Sequence, residues 1–474
     1  RIVADGGIGA AIDPLETRVA TLNATNTTSG NIVIANIVGA PAALDITNIS
    51  NSGGGNVIIS NQGSTVAGEG ITVSGPISAT DAMAAVTINS GSPLTIDSDI
   101  TAAGAIVLTA SETSIAGDDL TVNSGATISS TNSSVTLRAG DNITLSSGST
   151  VQASTGIIIT ANFGDDAADT TGANVIVAGT LIAPLASIGV DAAADDDDTF
   201  TITPSAATPI TVDAEDGSDT LNFIADGLAV TIVGNQITAA GRQPVTFNNF
   251  EFVNIINARG GGSVTLLAEA GDADALTLTG SGQKAGTITL NGGVPISFSG
   301  VDSFTFNAGD LADVITVTPF ATSVLPWNVA VAIDGGTGTD RIIYNNVAGL
   351  IDSTRVTATA AQAGHIDSPG VTSALNSQLV SFTNVEDITA IANPGEDETL
   401  TVNQRDTSAA DTTILLNDDV QLVGLFNVDT ENYVGLTLNG NGGDDTFNIT
   451  PGTIPVFIDG GNPIGATAGD LIHF

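Results

Sequence analysis

The sequence contains no cysteine, one methionine, one tryptophan and a single lysine, Lys284. Without cysteine there is neither a disulfide framework nor a thiolate metal site. Basic residues number 9 against 51 acidic ones, giving a formal charge of −42 over 474 residues. That field repels phosphate, so nucleic acid is not expected as a partner. No apolar run approaches the roughly 20 residues of a bilayer-crossing helix, so no membrane-spanning segment is expected. Aromatics are scarce at 4%. Apolar residues at helical spacing are missing over any useful length.

What is present is small and apolar. Glycine alone supplies 55 residues, hydrophobic residues make up 42%, and the mean hydropathy is +0.30. The chain is therefore too apolar for wholesale disorder. It opens on Arg1-Ile2-Val3 without a methionine or a signal peptide. It reads as a processed or excised piece of a longer protein.

Apolar-x-apolar triplets begin at Val57, Ile71, Val86, Leu94, Ile106, Leu120, Val135, Ile143 and Ile157. Residues 57–96 align without a gap on residues 106–145, a repeat of 49 residues. Each triplet sends two apolar side chains to one face and a polar one to the other, the period-two signature of a strand. Gly, Asn, Asp and Ser clusters break the strands. The expected fold is all-β, a right-handed parallel β-helix (β-solenoid), with β-sandwich-like or irregular β-repeat modules in the second half. A 49-residue unit then makes two coils of roughly 24 residues, stacked at roughly 4.8 Å. Ile, Val, Leu and Ala fill a narrow bore from which bulky rings are excluded. A β-sandwich also has turns every ~10 residues, but it does not require an internal repeat.

The segment from Asp5 to Leu22 and the run Gly148-Ser-Thr-Val-Gln-Ala-Ser-Thr-Gly156 resemble large bacterial surface proteins with filamentous-haemagglutinin-like β-strand repeats. The resemblance covers residues 1–190. It implies a parallel β-helix, exported and displayed outside the cell.

Residues 191–474 form a second, acidic region with 36 of the 51 acids. Its start is marked by Asp195-Asp-Asp-Asp198, a run of the kind usually found in solvated loops. One signature occurs in three copies, Asp198-Thr-Phe-Thr-Ile-Thr-Pro204, Asp313-Val-Ile-Thr-Val-Thr-Pro319 and Asp445-Thr-Phe-Asn-Ile-Thr-Pro451. Each leads through a second strand to Asp219, Asp340 or Asp470. A further element, Phe-x-(Asn/Gly)-apolar-acid, recurs at Phe247–Glu251, Phe298–Asp302 and Phe382–Glu386. The region holds two long units and the start of a third, and more chain or another subunit is expected to follow.

Gly335-Gly336-Thr-Gly338-Thr-Asp340-Arg-Ile-Ile fits the Gly-Gly-x-Gly-x-Asp-x-apolar-x nonapeptide. Gly440-Asn-Gly-Gly443-Asp-Asp445 departs from it only at Asn441, and the turns at Asp219 and at Asp272/Asp274 are weaker variants. These are similar to haemolysin-type (RTX-like) repeats. That resemblance implies Ca²⁺ held by carbonyls and the Asp carboxylate, suited to a hard cation taking six to eight oxygens. The departure is that the nonapeptides are isolated rather than tandem. Gly-Gly and Asp also make tight turns unaided, with Asp accepting backbone N–H bonds.

Catalysis finds little support. Carboxylate pairs such as Asp118/Asp119, Asp165/Asp166, Asp418/Asp419 and Asp444/Asp445 are expected from the acid content alone. The arginines are scattered, and His365 and His473 have no nucleophile motif. Trp327 follows a proline and suits a hydrophobic plug. An ice-binding face needs threonine ranks, and Thr201/Thr203 and Thr316/Thr318 do not recur in consecutive coils. The expected role is a non-catalytic, calcium-stabilised structural segment of an extracellular bacterial cell-surface protein, a stalk, filament or surface-layer element, or the shaft of an adhesin. It would self-associate into a filament or continue into its parent chain. The alternatives are an adhesin module binding cell-surface glycans and a β-helix lyase or glycosidase.

Overall fold

The computed structural model describes residues 1–37, 43–61, 70–113, 117–164, 171–191, 196–257, 260–320, 327–346, 353–368, 378–405, 410–461 and 469–474. Among them there are 48 strands and no helix. The strands fall into two large, mostly parallel sheets. The chain divides into two compact units. Unit 1 comprises 1–224 and 235–254, and unit 2 comprises 225–234 and 255–474.

Unit 1 is built by returning the chain to the same place. In one sheet Ile71, Leu94, Leu120, Ile143, Val175, Phe200 and Leu221 are successive partners in register. The separations are 23, 26, 23, 32, 25 and 21 residues. The 49-residue repeat is therefore two returns of the chain. In the other sheet Val57, Val86, Ile106, Val135, Ile157, Ala186, Ile210 and Val245 stack in the same way. All of these residues are at most 1% exposed. Pairing passes through residue 190 without a break, from Asn174–Val177 to Thr199–Ile202 and from Ala186–Val190 to Ile210–Asp213.

Each return also contains a strand that the apolar pattern does not reveal. Ile77–Ala79, Ile100–Ala102, Thr127–Ser130, Thr150–Ala153 and Thr180–Ile182 form a third file. Ile77, Ile100, Ile128, Val151 and Leu181 are its buried members. Threonines also align where the sequence pattern found none in consecutive returns. Thr72, Thr95, Thr121 and Thr144 lie in register on four successive strands.

Unit 2 keeps the parallel ladders but interrupts them with antiparallel excursions. Ala275–Gly282, Ala285–Leu290 and Ile296–Ser299 form one three-stranded meander. Ser353–Ala360, Ala363–Ser368 and Gln378–Thr383 form a second. Thr412–Leu416, Asp419–Leu422 and Phe426–Glu431 form a third. Between them the parallel register persists, as in Leu276, Ile315, Ile342, Ile388 and Val428.

The expectation that rings are excluded from the core holds only where the chain lacks them. Phe200 and Phe223 in unit 1, and Phe304, Phe306, Tyr344 and Phe447 in unit 2, are fully buried. Phe200 meets Phe250 edge to face at 5.4 Å. Trp327 is 2% exposed and its Nε1 donates to the carbonyl of Ala285 at 3.0 Å, so it plugs the first meander.

Candidate functional site

The three copies of the acidic signature take on meaning through the backbone. In each copy the first aspartate precedes a strand and its N–H points at the next strand. The carboxylate of the second aspartate reaches back to accept it. Asp198 N–H donates to Asp219 Oδ1 at 2.7 Å, Asp313 N–H to Asp340 Oδ1 at 2.8 Å, and Asp445 N–H to Asp470 Oδ1 at 3.0 Å. The bonds continue in file. Asp219 N–H reaches Glu251 Oε2 and Asp340 N–H reaches Glu386 Oε2, both at 2.7 Å. Upstream, Asp274 N–H reaches Asp313 Oδ1 at 2.7 Å and Asp411 N–H reaches Asp445 Oδ1 at 2.9 Å. Each carboxylate thus satisfies a backbone donor that the short strand cannot pair itself.

The Phe-x-(Asn/Gly)-apolar-acid element supplies the ends of two of these files. Asn249, Gly300 and Asn384 have φ of 57°, 71° and 54°, the left-handed turn that this position demands. Glu251 and Glu386 then face the preceding aspartate N–H. Asp302, the third copy, instead pairs with Lys284.

Burial makes these files electrostatically unusual. Asp118, Asp198, Asp219, Asp274, Asp313, Asp340 and Asp445 are at most 4% exposed. Asp198 is therefore no solvated loop residue, although Asp197 beside it is exposed. Desolvation pushes Asp198 up to about 7 and Asp340 up to about 6, against hydrogen bonds that pull down. Desolvation likewise raises Asp118, Asp313 and Asp445.

The residues singled out as calcium turns are placed as follows. Gly335, Gly336, Gly338 and Asp340 share the turn between Ala330–Asp334 and Arg341–Asn345. A Cβ on Gly335 would stand 2.0 Å from the Asn384 carbonyl and 2.8 Å from Asp340 Oδ2. On Gly336 it would stand 2.0 Å from the Gly309 carbonyl, and on Gly338 1.6 Å from that of Leu311. These glycines let one turn lie directly on the turn beneath. Gly440 repeats the first contact, with Asp445 Oδ2 at 2.6 Å from its absent Cβ, and Gly443 has φ of 128°. Asp219 and Asp274 are links in the files, whereas Asp272 is exposed. Asp165, Asp166, Asp195 and Arg259 lie outside the described residues.

The arrangement closest to a cation site lies elsewhere, in unit 1. Glu112, Asp118 and Asp141 bring one carboxylate oxygen each within 4.8 Å of one another. Asp141 Oδ2 also accepts the N–H groups of Gly117 at 2.5 Å and Asp118 at 2.9 Å, and Asp118 Oδ2 accepts Thr113 N–H at 2.6 Å. Among the described residues it is the one such group of three. The sequence hid it because its acids stand apart at 112, 118 and 141. Only the return of the chain, pairing Leu120 with Ile143, joins them. The first strands carry an uncharged version of the same device. Asn26 donates to Asn51 at 2.9 Å and Asn36 to Asn61 at 3.1 Å, with all four side chains at most 1% exposed.

Compared with known families and curated proteins, the chain matches no family model and no curated protein.

Proposed function

We propose that the chain is a non-catalytic structural segment of an extracellular bacterial surface protein, a stalk, filament or adhesin shaft folded as a right-handed β-solenoid. The observation that carries this reading is the unbroken parallel register in unit 1, where successive strands return to the same ladder about every two dozen residues. Parallel crossovers of this kind are right-handed in ~98% of cases, which supports the hand. The resemblance to haemagglutinin-like repeats at Asp5–Leu22 supports the location. Self-association into a filament, or continuation into the parent chain, goes with this reading, because an open edge of a β-sheet accepts further strands. Calcium would serve as a clamp, and the residues best arranged for it are Glu112, Asp118 and Asp141. Oxygen-only donors suit a hard divalent cation.

Four measurements test the reading. Negative-stain microscopy of the full chain is expected to show elongated particles that join end to end as concentration rises. Glycan-array binding that survives chelation would favour an adhesin module, and turnover of a polysaccharide would overturn the non-catalytic role. A thermal melt with excess Ca²⁺ and with chelator tests the clamp. Glu112→Gln should remove most of the calcium-dependent shift, and superimposable melts of the unaltered chain would sink the calcium role.

A further inference from the structure

One outward sheet face of unit 2 holds four carboxylates around a single guanidinium. Arg341–Asn345, Asp387–Ile391 and Phe426–Glu431 are parallel neighbours. Arg341, Asp387 and Asn427 form one row across them, and Ile343, Thr389 and Asp429 form the next. Ile342, Ile388 and Val428 are 0% exposed, so the alternate residues of each strand face outward. Glu431 ends the third strand on this face. Asp419 precedes Val420, the partner of Val428, and stands beside Asp429. Arg341 Nη2 lies 3.4 Å from Asp429 Oδ2, reaching across the strand between them. Asn427 Nδ2 donates to Asp387 Oδ1 at 2.8 Å.

Thr389 lies in the middle of this face, on the strand that the ion pair crosses. It is 6% exposed and its Oγ1 has no hydrogen-bond partner. A buried hydroxyl left unmet is unfavourable, and a ligand that bonds to it removes the cost. A bare metal ion does not suit the place. Oxygens from three carboxylates do not come within 4.8 Å of one another here, since the one such group among the described residues is in unit 1. Burial and then Asp419 hold Asp429 above the ordinary carboxylate range against the pull of Arg341. One guanidinium among four carboxylates leaves the face open to more positive charge.

We propose that this face seats the arginine side chains of a basic peptide segment from another protein, and that Arg341 fills the seat as an internal stand-in until the partner displaces it. The incoming guanidinium pairs with Asp429 and donates to Thr389 Oγ1. Arginines at alternate positions of an extended segment, roughly 6.6 Å apart, match the step from Asp429 to Glu431. A guanidinium suits the seat better than an ammonium, because its planar fork serves two acceptors at once. Arg341 is readily displaced, since its side chain is 45% exposed and its bond to Asp429 is long. A second copy of this chain is a poor source of the segment, with 9 basic residues against 51 acidic ones. The seat goes beyond the structural role proposed above and does not depend on it.

The test is calorimetric titration of the full chain with a peptide of alternating arginine and threonine, in chelator and about 0.15 M salt. Arg341→Ala removes the stand-in and should tighten binding by up to about fivefold. Arg242→Ala changes the net charge equally at an exposed arginine of unit 1 and should not. Asp429→Asn should weaken binding roughly tenfold. Asp97→Asn, at an exposed acid of unit 1, should leave it within about twofold. Thr389→Val keeps the branched shape and removes the hydroxyl, so it should weaken binding without lowering the Tm. The lysine counterpart of the peptide should bind several-fold more weakly. Absence of binding, equal effects at the seat and at the control sites, full affinity in Thr389→Val, or equal affinity for the lysine peptide overturns the seat.

Discussion

At the scale of single residues, glycine and aspartate do different work in the same turn. Gly336 has φ of 84° and lies on the Gly309 carbonyl, so Gly336→Ala combines backbone strain with a collision and should cost about 2–4 kcal/mol. Gly395 has φ of 95° but no atom within 4 Å of a Cβ, so Gly395→Ala should cost only about 1 kcal/mol. Equal losses in urea denaturation would show that turn stacking is not what the first glycine serves. Aspartates act through pH in opposite senses. Burial lifts Asp198 to about 7, so its contribution is present below about pH 4 and is lost as pH rises through 7. Burial also pushes on Asp418, but bonds from Thr453 N–H at 2.7 Å and Ile454 N–H at 3.1 Å hold it below its ordinary value. Its contribution is present above about pH 4 and is lost as pH falls. Asp198→Asn is thus expected to raise the Tm at pH 8, and Asp418→Asn to lower it at pH 7. The acids themselves were legible in the sequence as a threefold signature. Their task was not, because the donor each one meets belongs to the neighbouring return of the chain.

At the scale of the strand, the sequence pattern located what alternation can encode. The triplets from Val57 to Ile157 all lie in strands, and the 49-residue repeat corresponds to two steps of the ladder. Alternation missed Ile77–Ala79 and Ile100–Ala102 because their second inward residue is alanine, which leaves no hydrophobic peak. The meanders of unit 2 were visible only as turns. Leu416-Asn417-Asp418-Asp419 closes a two-residue hairpin with φ of 53° and 79° at its centre, as a type I′ turn requires. Nothing local told that its strands would leave the parallel ladder and rejoin it. Side-chain direction within a strand carries a sharp expectation. Ile106 is 0% exposed between Val86 and Val135, so Ile106→Ala should cost about 2–5 kcal/mol. Ile158 is 45% exposed, so Ile158→Thr should change stability by less than about 0.5 kcal/mol. Comparable losses at the two sites would contradict the assigned faces.

At the scale of the whole molecule, the charge of −42 is a global cost on top of any particular pair. Screening shortens from about 10 Å at 0.1 M salt to about 3 Å at 1 M. Sodium chloride is therefore expected to raise the melting temperature by several degrees even in the presence of chelator. A melt indifferent to salt would mean that the exposed acids are already neutralised. The sequence carried this asymmetry plainly but not the partition between acids in water and acids in files, since both are written with the same letter. The unequal returns of unit 1 bear on how such a gene can change. Consecutive partners lie from 21 to 32 residues apart in one sheet, yet the register on either side is undisturbed. Codons gained or lost in a turn alter a loop and nothing else. A single codon lost inside a three-residue strand turns its buried side chains outward. Length variation and grafted peptides should accordingly be tolerated at the turns and purged from the strands, so that the gene can vary its surface freely while its ladder stays fixed.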